Sequence, residues 1–185
     1  DMRNHYNNSK LKFIIGDVRD EEAVSKSLNG VDYVFHAAAL KQVPTCEFFP
    51  MEAFKTNVIG TKNIINQSIE NKVKRLVVLS TDKAVYPVNT MGVTKSLAEK
   101  LVISNSLDYS KSKTIICATR YGNVIASRGS MIPLFIKQIK DGKNLTITNP
   151  KMTRFMMTLE QSVKLVLYAF ENGKNGQIFV QQSPS

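Results

Sequence analysis

Leu76-Val77-Val78-Leu79-Ser80-Thr81-Asp82-Lys83-Ala84-Val85-Tyr86-Pro87-Val88-Asn89-Thr90-Met91-Gly92-Val93-Thr94-Lys95 is the stretch on which the fold turns. It opens with four apolar residues. A short Val/Leu run bounded by polar residues is the pattern of a strand buried on both faces. The run breaks abruptly into Ser80, Thr81, Asp82 and Lys83. Open α/β sheets place their chemistry just past the carboxyl ends of such strands. Pro87 and Asn89 mark a loop, and Thr90 can cap the helix that follows. On that helix Met91 and Lys95 lie four apart and share one face.

Outward from this stretch, strands alternate with helices. Upstream, Leu11–Ile15 reads as a strand followed by Gly16-Asp17-Val18, and 21–28 as a short helix capped by Asp20. Val31–Ala39 reads as a strand ending in His36-Ala37-Ala38-Ala39. Residues 41–50 read as a loop, and Pro50 suits the first turn of a helix running to about Lys72. Downstream, the helix bearing Lys95 spans 90–109. Thr114–Thr119 is a β-branched strand, and 130–140 a helix with Pro133 in its first turn. Short strands fall at 145–148 and 155–156, a helix at 159–170 ends at Asn172-Gly173, and 177–181 is a last strand. The class is therefore α/β, a Rossmann-like doubly wound parallel sheet. Residues 1–125 read as the remainder of a dinucleotide-binding domain. Residues 126–185 read as the start of a substrate-binding part interleaved with its last elements.

Composition narrows the function. A chain of 185 residues with an ordinary apolar fraction buries one real core. No apolar run approaches membrane-spanning length. Cys46 and Cys117 are isolated and there are two histidines, so neither a disulfide framework nor a metal site is expected, and a reducing, cytoplasmic setting is. The net charge of +10 points to an anionic partner. The basic residues are scattered, with no run and no interleaved aromatics, which argues against nucleic acid and leaves a phosphorylated substrate or a Lys-rich solvated surface. His36 reads as a strand-end residue satisfied by backbone.

A dinucleotide fold normally opens with a strand, a Gly-rich turn and a helix. No Gly-x-Gly-x-x-Gly is present and the nine glycines are dispersed. Either the chain is not a dinucleotide binder or its first βα unit is missing; a family resemblance carried by residues 76–95 implies the second, and with it an internal piece that also lacks the C-terminal substrate segment.

With these residues in place the chain resembles the extended short-chain dehydrogenase/reductase family. There the strand ends in Ser or Thr, and Tyr-x-x-x-Lys opens the next helix. Lys95 matches the Lys. Met91 stands in the Tyr place, and a thioether cannot carry a proton. The subgroup with Ser-Thr-Asp-Lys and Met at these places is similar to the inverting UDP-N-acetylglucosamine 4,6-dehydratases of capsular and surface-polysaccharide synthesis. The resemblance implies oxidation at C4 of the sugar, loss of water across C5 and C6, and return of hydride to C6. It gives Lys83 the role of base and Asp82 that of acid. Lys95 would bond the nicotinamide ribose, and Thr81, a water or a neighbour would assist where Met91 cannot.

The resemblance also implies cofactor contacts from Asp17, Val18, Ala37, Ala38, Ala39, Lys41, Ser80, Tyr121 and Gly122. Lys41, Asn123, Arg128, Ser130 and Arg154 would hold the UDP-sugar. NADP as cofactor, a hexameric homo-oligomer and a C5-epimerising activity come from the same source. Plainer readings stand beside these. Asp82-Lys83 can be a surface turn, the alanines a packed strand end, Lys41 an exposed loop lysine, Met91 a packing residue and Arg154 half of a surface ion pair. Asn57 and Gly60 read as structural, an Asn bonding across strands and a Gly allowing tight helix–sheet contact. The rival functions are a retaining dehydratase or 4-epimerase, both of which keep the Tyr, and a silent NAD(P)-binding scaffold.

Overall fold

The apolar run at residues 76–79 lies inside a seven-residue strand flanked by parallel neighbours on both sides. The structure, a computed structural model, describes residues 5–6, 8–107, 113–127, 130–147 and 149–182. In chain order it contains helix α1 (Glu21–Leu28), strand β1 (Tyr33–His36), helix α2 (Val43–Phe48) and helix α3 (Pro50–Phe54). Helix α3 continues through a π-turn (Lys55–Ile59) into α4 (Gly60–Glu70). Strand β2 (Arg75–Thr81), a 3-10 turn (Asp82–Ala84), helix α5 (Thr90–Leu107) and strands β3 (Ile115–Tyr121) and β4 (Asn123–Val124) follow. Helix α6 (Met131–Lys140), strand β5 (Met156–Met157), helix α7 (Leu159–Asn172) and strand β6 (Ile178–Val180) complete it. The main sheet is parallel with order β1-β2-β3-β6, and β4 pairs with β5 separately.

The alternation of β2 explains the layering. Leu76 and Val78 face one side, where they join Val24 and Leu28 of α1, Ile64 and Ile65 of α4 and Val102 of α5. Val77 faces the other, onto Cys117, Val166 and Ala169 of β3 and α7. Successive side chains point to opposite faces, so a strand covered on both faces is apolar throughout. Each such side chain stabilises the fold by roughly 1.5–3 kcal/mol relative to exposure.

Several expectations need correction. Residues 11–15 form no strand, and Ile15 is 100% exposed. A strand exists only through pairing, and no described strand lies beside this segment. Residues 41–50 hold α2, with Pro44 in its first turn, where a fixed φ suits a helix start. Residues 145–147 are irregular: Thr146 bonds back to the Gln138 side chain of α6 instead of a neighbouring strand. Residue 148 lies outside the described residues. The cap of α5 is Asn89, whose Oδ1 accepts from the Gly92 amide at 2.8 Å, while the Thr90 amide donates to Glu47 at 2.6 Å.

Asn57 and Gly60 are structural in a different way from the one expected. Asn57 is fully buried in the π-turn. Its Oδ1 accepts from the Leu40 amide (2.8 Å), and its Nδ2 donates to the Leu40 carbonyl (2.9 Å) and to Thr94 Oγ1 (3.0 Å). It therefore ties the loop after β1 to α5, and bonds no strand. A Cβ on Gly60 would stand 2.7 Å from Val18 Cγ2, so this glycine admits the 16–18 loop and not the sheet. Asn63 of α4 holds the same loop by donating to the Val18 carbonyl at 3.0 Å.

Replacing Asn57 with Ala leaves the half-buried Leu40 amide without its partner and the Leu40 carbonyl with only the Cys46 thiol at 3.6 Å, and should cost about 1–3 kcal/mol. A urea unfolding series checks this, and an unchanged midpoint would show that the loop after β1 is held by other contacts.

Candidate active site

The carboxyl end of β2 turns at once into the 3-10 turn, and the turn sets three side chains together. Thr81 Oγ1 donates to Asp82 Oδ1 at 2.9 Å. Lys83 Nζ lies 3.0 Å from the same oxygen and 3.2 Å from Asn123 Oδ1. Asp82 and Lys83 are each partly buried, with 25% and 33% of their side-chain surface exposed. Asn123 comes from β4, just past β3, so two neighbouring strands deliver this group. Gly92 makes the approach possible: a Cβ there would stand 2.4 Å from the Lys83 carbonyl. Beyond the turn Tyr86 takes φ 47°, a strained value for a residue with a Cβ, and its side chain is almost wholly exposed.

Helix α5 grips the last residues of β2 from behind. Lys95, only 6% exposed, donates from Nζ to the Leu79 carbonyl at 2.8 Å. Burial lowers its pKa to about 8, against the neighbouring Glu99, which raises it. Glu99, 5% exposed, was not anticipated from the sequence. Its Oε1 accepts from Ser80 Oγ (2.6 Å) and Arg120 Nε (2.8 Å), and its Oε2 from Arg120 Nη2 (2.7 Å). Glu99 lies four residues after Lys95, one helical turn on, and that spacing was the signal available. Ser80, expected at the cofactor, has its hydroxyl directed to this carboxylate.

His36 is buried at the end of β1. The Thr61 hydroxyl donates to the Asn57 carbonyl at 2.6 Å, so it accepts from His36 Nε2 at 3.0 Å, which assigns the Nε2–H tautomer. The partner is thus a side chain and not the backbone. Burial, with the nearby Lys95 charge, holds His36 down to about 4 and neutral.

Met91 packs with Cys46 and Ala53, flanked by Leu40 and Val43, and is 5% exposed. Its face of α5 is a small apolar core.

A nicotinamide dinucleotide fits the residues in front of Lys95. Ala37 and Ala38 are exposed and Ala39 half-buried, so nothing bulkier than a methyl group closes the sheet edge after β1. Lys95 directs one N–H to Leu79, and its other two have no acceptor among the described residues. A vicinal ribose diol matches such donors. Asp17 and Val18 lie farther out, beside a hollow lined also by Ala23, Ser27 and Ile64. The Asp17 carboxylate accepts from Arg19, which holds it below the usual range, and Arg19 also pairs with Glu52. Lys41 is exposed on the loop after β1.

A cleft of about 340 Å³ opens at the carboxyl ends of β2, β3 and β6. Asp82, Arg120, Tyr121, Gly122, Phe155 and Met156 line it. Gly122 is required there, since a Cβ would meet the Phe155 carbonyl at 2.7 Å. The Tyr121 hydroxyl donates to the Ser162 carbonyl at 2.6 Å, and burial raises its pKa. Arg154 is exposed, donates to the Thr153 carbonyl and forms no ion pair among the described residues. Ser130 precedes α6 without capping it through its side chain. Arg128 lies outside the described residues. The turn therefore brings Thr81, Asp82, Lys83 and Asn123 into contact. Among the described residues no hydrogen bond or ion pair joins Arg154 or Ser130 to that group.

A protein-family profile described as polysaccharide biosynthesis protein matches residues 1–185. A Rickettsia prowazekii protein named UDP-glucose 4-epimerase is 64% identical over 185 residues, all of this chain and 54% of that protein. The chain thus spans about half the length of the curated relatives it matches. The crystal structure of Pen from Bacillus thuringiensis superposes with a TM-score of 0.96 at 40% identity, covering 99% of this chain and 58% of that one. DesIV, a dTDP-glucose 4,6-dehydratase from Streptomyces venezuelae solved with NAD and TYD bound, has a TM-score of 0.86 at 23% identity, covering 94% and 59%; at that identity the likeness is one of fold.

Lys95 supplies a test that needs no ligand. Its folded pKa of about 8 is below the usual 10.5. Burying the ammonium therefore costs stability at every pH below about 8, and the cost fades as pH rises toward 10.5. Lys95→Met should be the more stable chain at pH 7 by roughly 2–3 kcal/mol, with the advantage shrinking above pH 8. Urea midpoints across pH 6–10 measure it, and a constant difference would contradict a buried charge.

Proposed function

The chain belongs to the polysaccharide biosynthesis protein family, and from that premise we propose that the whole protein is a nucleotide-sugar 4,6-dehydratase that also inverts C5. Its substrate is UDP-N-acetylglucosamine and its cofactor NADP. The observation that carries the reading is the 3.0 Å contact between Lys83 Nζ and Asp82 Oδ1 at the carboxyl end of the central strand.

A nicotinamide dinucleotide, when bound, accepts hydride from C4 of the sugar and returns it to C6. A C4 ketone acidifies the C5 hydrogen, and elimination then needs a base at C5 and an acid at the C6 hydroxyl. The resting pair is an ammonium beside a carboxylate. Moving one proton along the hydrogen bond yields a neutral amine beside a carboxylic acid, with no change in total charge. Lys83 takes the C5 proton. The electrons of that bond form the C5–C6 double bond as the C6–oxygen bond breaks, and Asp82 protonates the departing oxygen to release water. Lys83 ends as an ammonium and Asp82 as a carboxylate, which is the resting pair again. Thr81 donates to the same Oδ1 that meets Lys83, and so fixes the orientation of the carboxylate that takes up and passes on the proton. Reprotonation of C5 from the opposite face gives the inverted product. Arg154, exposed and without an ion-pair partner among the described residues, is assigned to the nucleotide phosphates.

A second reading, a UDP-sugar 4-epimerase, draws support from the names of the Rickettsia relatives. The burial of Met91 favours the dehydratase, because an epimerase of this resemblance keeps a tyrosine at that place. By the same resemblance the protein acts in the cytoplasm as a hexamer. No helix among the described residues is long and apolar enough to cross a membrane.

Incubating the intact protein with UDP-N-acetylglucosamine in deuterated water, followed by NMR, separates the readings. Deuterium at an inverted C5 with a C6 methyl group is expected. A C4 epimer alone would favour the epimerase, and an untouched substrate a scaffold. Lys83→Ala should slow elimination at least about 100-fold, and full activity in that variant would remove Lys83 from the chemistry.

A further inference from the structure

Glu99 and Arg120 form a buried ion pair that the elimination does not use. Arg120 of β3 stands in register opposite Ser80 of β2. Glu99 reaches both, so one carboxylate from α5 joins a cross-strand pair at the carboxyl edge of the sheet. The two guanidinium contacts, from Nε and Nη2, are side-on and fix its plane. Its remaining edge, carrying Nη1, has no acceptor among the described residues. Arg120 is one quarter exposed, and it lines the cleft together with Asp82, Tyr121 and Gly122.

The electrostatics say what that edge suits. A carboxylate and a guanidinium in side-on contact carry no net charge, so the pair projects little field toward a phosphate. It offers fixed N–H donors at short range, which match an uncharged oxygen: a ring hydroxyl, a ketone or an acyl carbonyl. A preorganised donor of this kind loses little freedom when a ligand arrives. We propose that Arg120 contacts the hexose of the bound nucleotide sugar through its Nη1 edge, and that Glu99 is the positioning residue that holds it there. This assignment rests on the nucleotide-sugar function proposed above. It divides the ligand between two arginines: Arg154 for the diphosphate and Arg120 for the sugar.

The test compares UDP with UDP-N-acetylglucosamine on the intact protein by calorimetry, with a urea midpoint for each variant. Arg120→Lys keeps the charge beside Glu99 and loses the fork. Glu99→Gln keeps Arg120 and loosens it. The double variant Glu99→Gln/Arg120→Met removes both charges of the pair and keeps a side-chain oxygen for Ser80, while Lys95 loses its neighbouring carboxylate, so the urea midpoint is read first to establish that the variant is folded. The expected result is that the affinity for the sugar nucleotide relative to UDP falls about tenfold or more in Arg120→Lys and in the double variant. Glu99→Gln should show a smaller loss in the same direction, and UDP affinity should stay within about twofold throughout. An unchanged ratio in the folded double variant overturns the assignment, as does an equal loss for both ligands. If the wild type binds UDP and no sugar nucleotide, the substrate reading fails and this assignment with it. A wild-type ratio that survives in the variants overturns Arg120 alone.

Discussion

The hold of α5 on the end of β2 and on the turn that follows it is the constraint from which the site follows. Lys95 bonds the Leu79 carbonyl, Glu99 the Ser80 hydroxyl, and Gly92 lies against the carbonyl of Lys83. Asn57 adds the loop after β1 to the same helix through Thr94. An ammonium and a carboxylate buried this deeply cost several kcal/mol of desolvation each, which the bonds from Lys95 to Leu79 and from Ser80 and Arg120 to Glu99 offset in part. Apolar residues would seal the same interface more cheaply. Burial lowers the Lys95 pKa at a strand end beside a cleft, a pattern enriched at functional sites.

Position determines what the exposed pair can do. Asp82 and Lys83 are adjacent in sequence, and on a free loop they would form a weak surface ion pair. Here the turn is wedged between β2 and α5, Thr81 and Asn123 hold it on two sides, and Asp82 faces the cleft. The proposed elimination, in which the pair exchanges one proton internally and regains its resting form, needs that fixed separation. Met91 fits the same account. Its face of α5 is committed to packing on α2 and α3, so in the proposed reaction proton transfer is assigned to the turn in front of the helix.

Much of this was legible in residues 76–95. An apolar run ending in Ser-Thr-Asp-Lys marked the central strand and its working end, and the four-residue spacing of Met91 and Lys95 marked the helix face. What was not legible depended on partners distant in sequence. Leu11–Ile15 has the composition of a strand, yet a strand is defined by its neighbour. The Glu99–Arg120 pair joins residues 21 apart, whose meeting is set by the register of β2 and β3. Glu99 alone looks like one more charge on a helix. Asn57 was recognisable as structural, but its partners Leu40 and Thr94 became apparent only once the π-turn had aimed it. Asn89 took the cap from Thr90 because its shorter reach to the third helical amide won over the hydroxyl one residue on.

The most direct measurement of the central claim is the elimination rate of a Gly92→Ala variant of the intact protein. One methyl group placed 2.4 Å from the Lys83 carbonyl must push the turn off the helix. If the hold of α5 on the end of β2 sets the acid–base pair in place, the rate of the folded variant falls by about two orders of magnitude, with a lowered urea midpoint because the atom met is backbone. A variant that turns over at the wild-type rate would contradict the account.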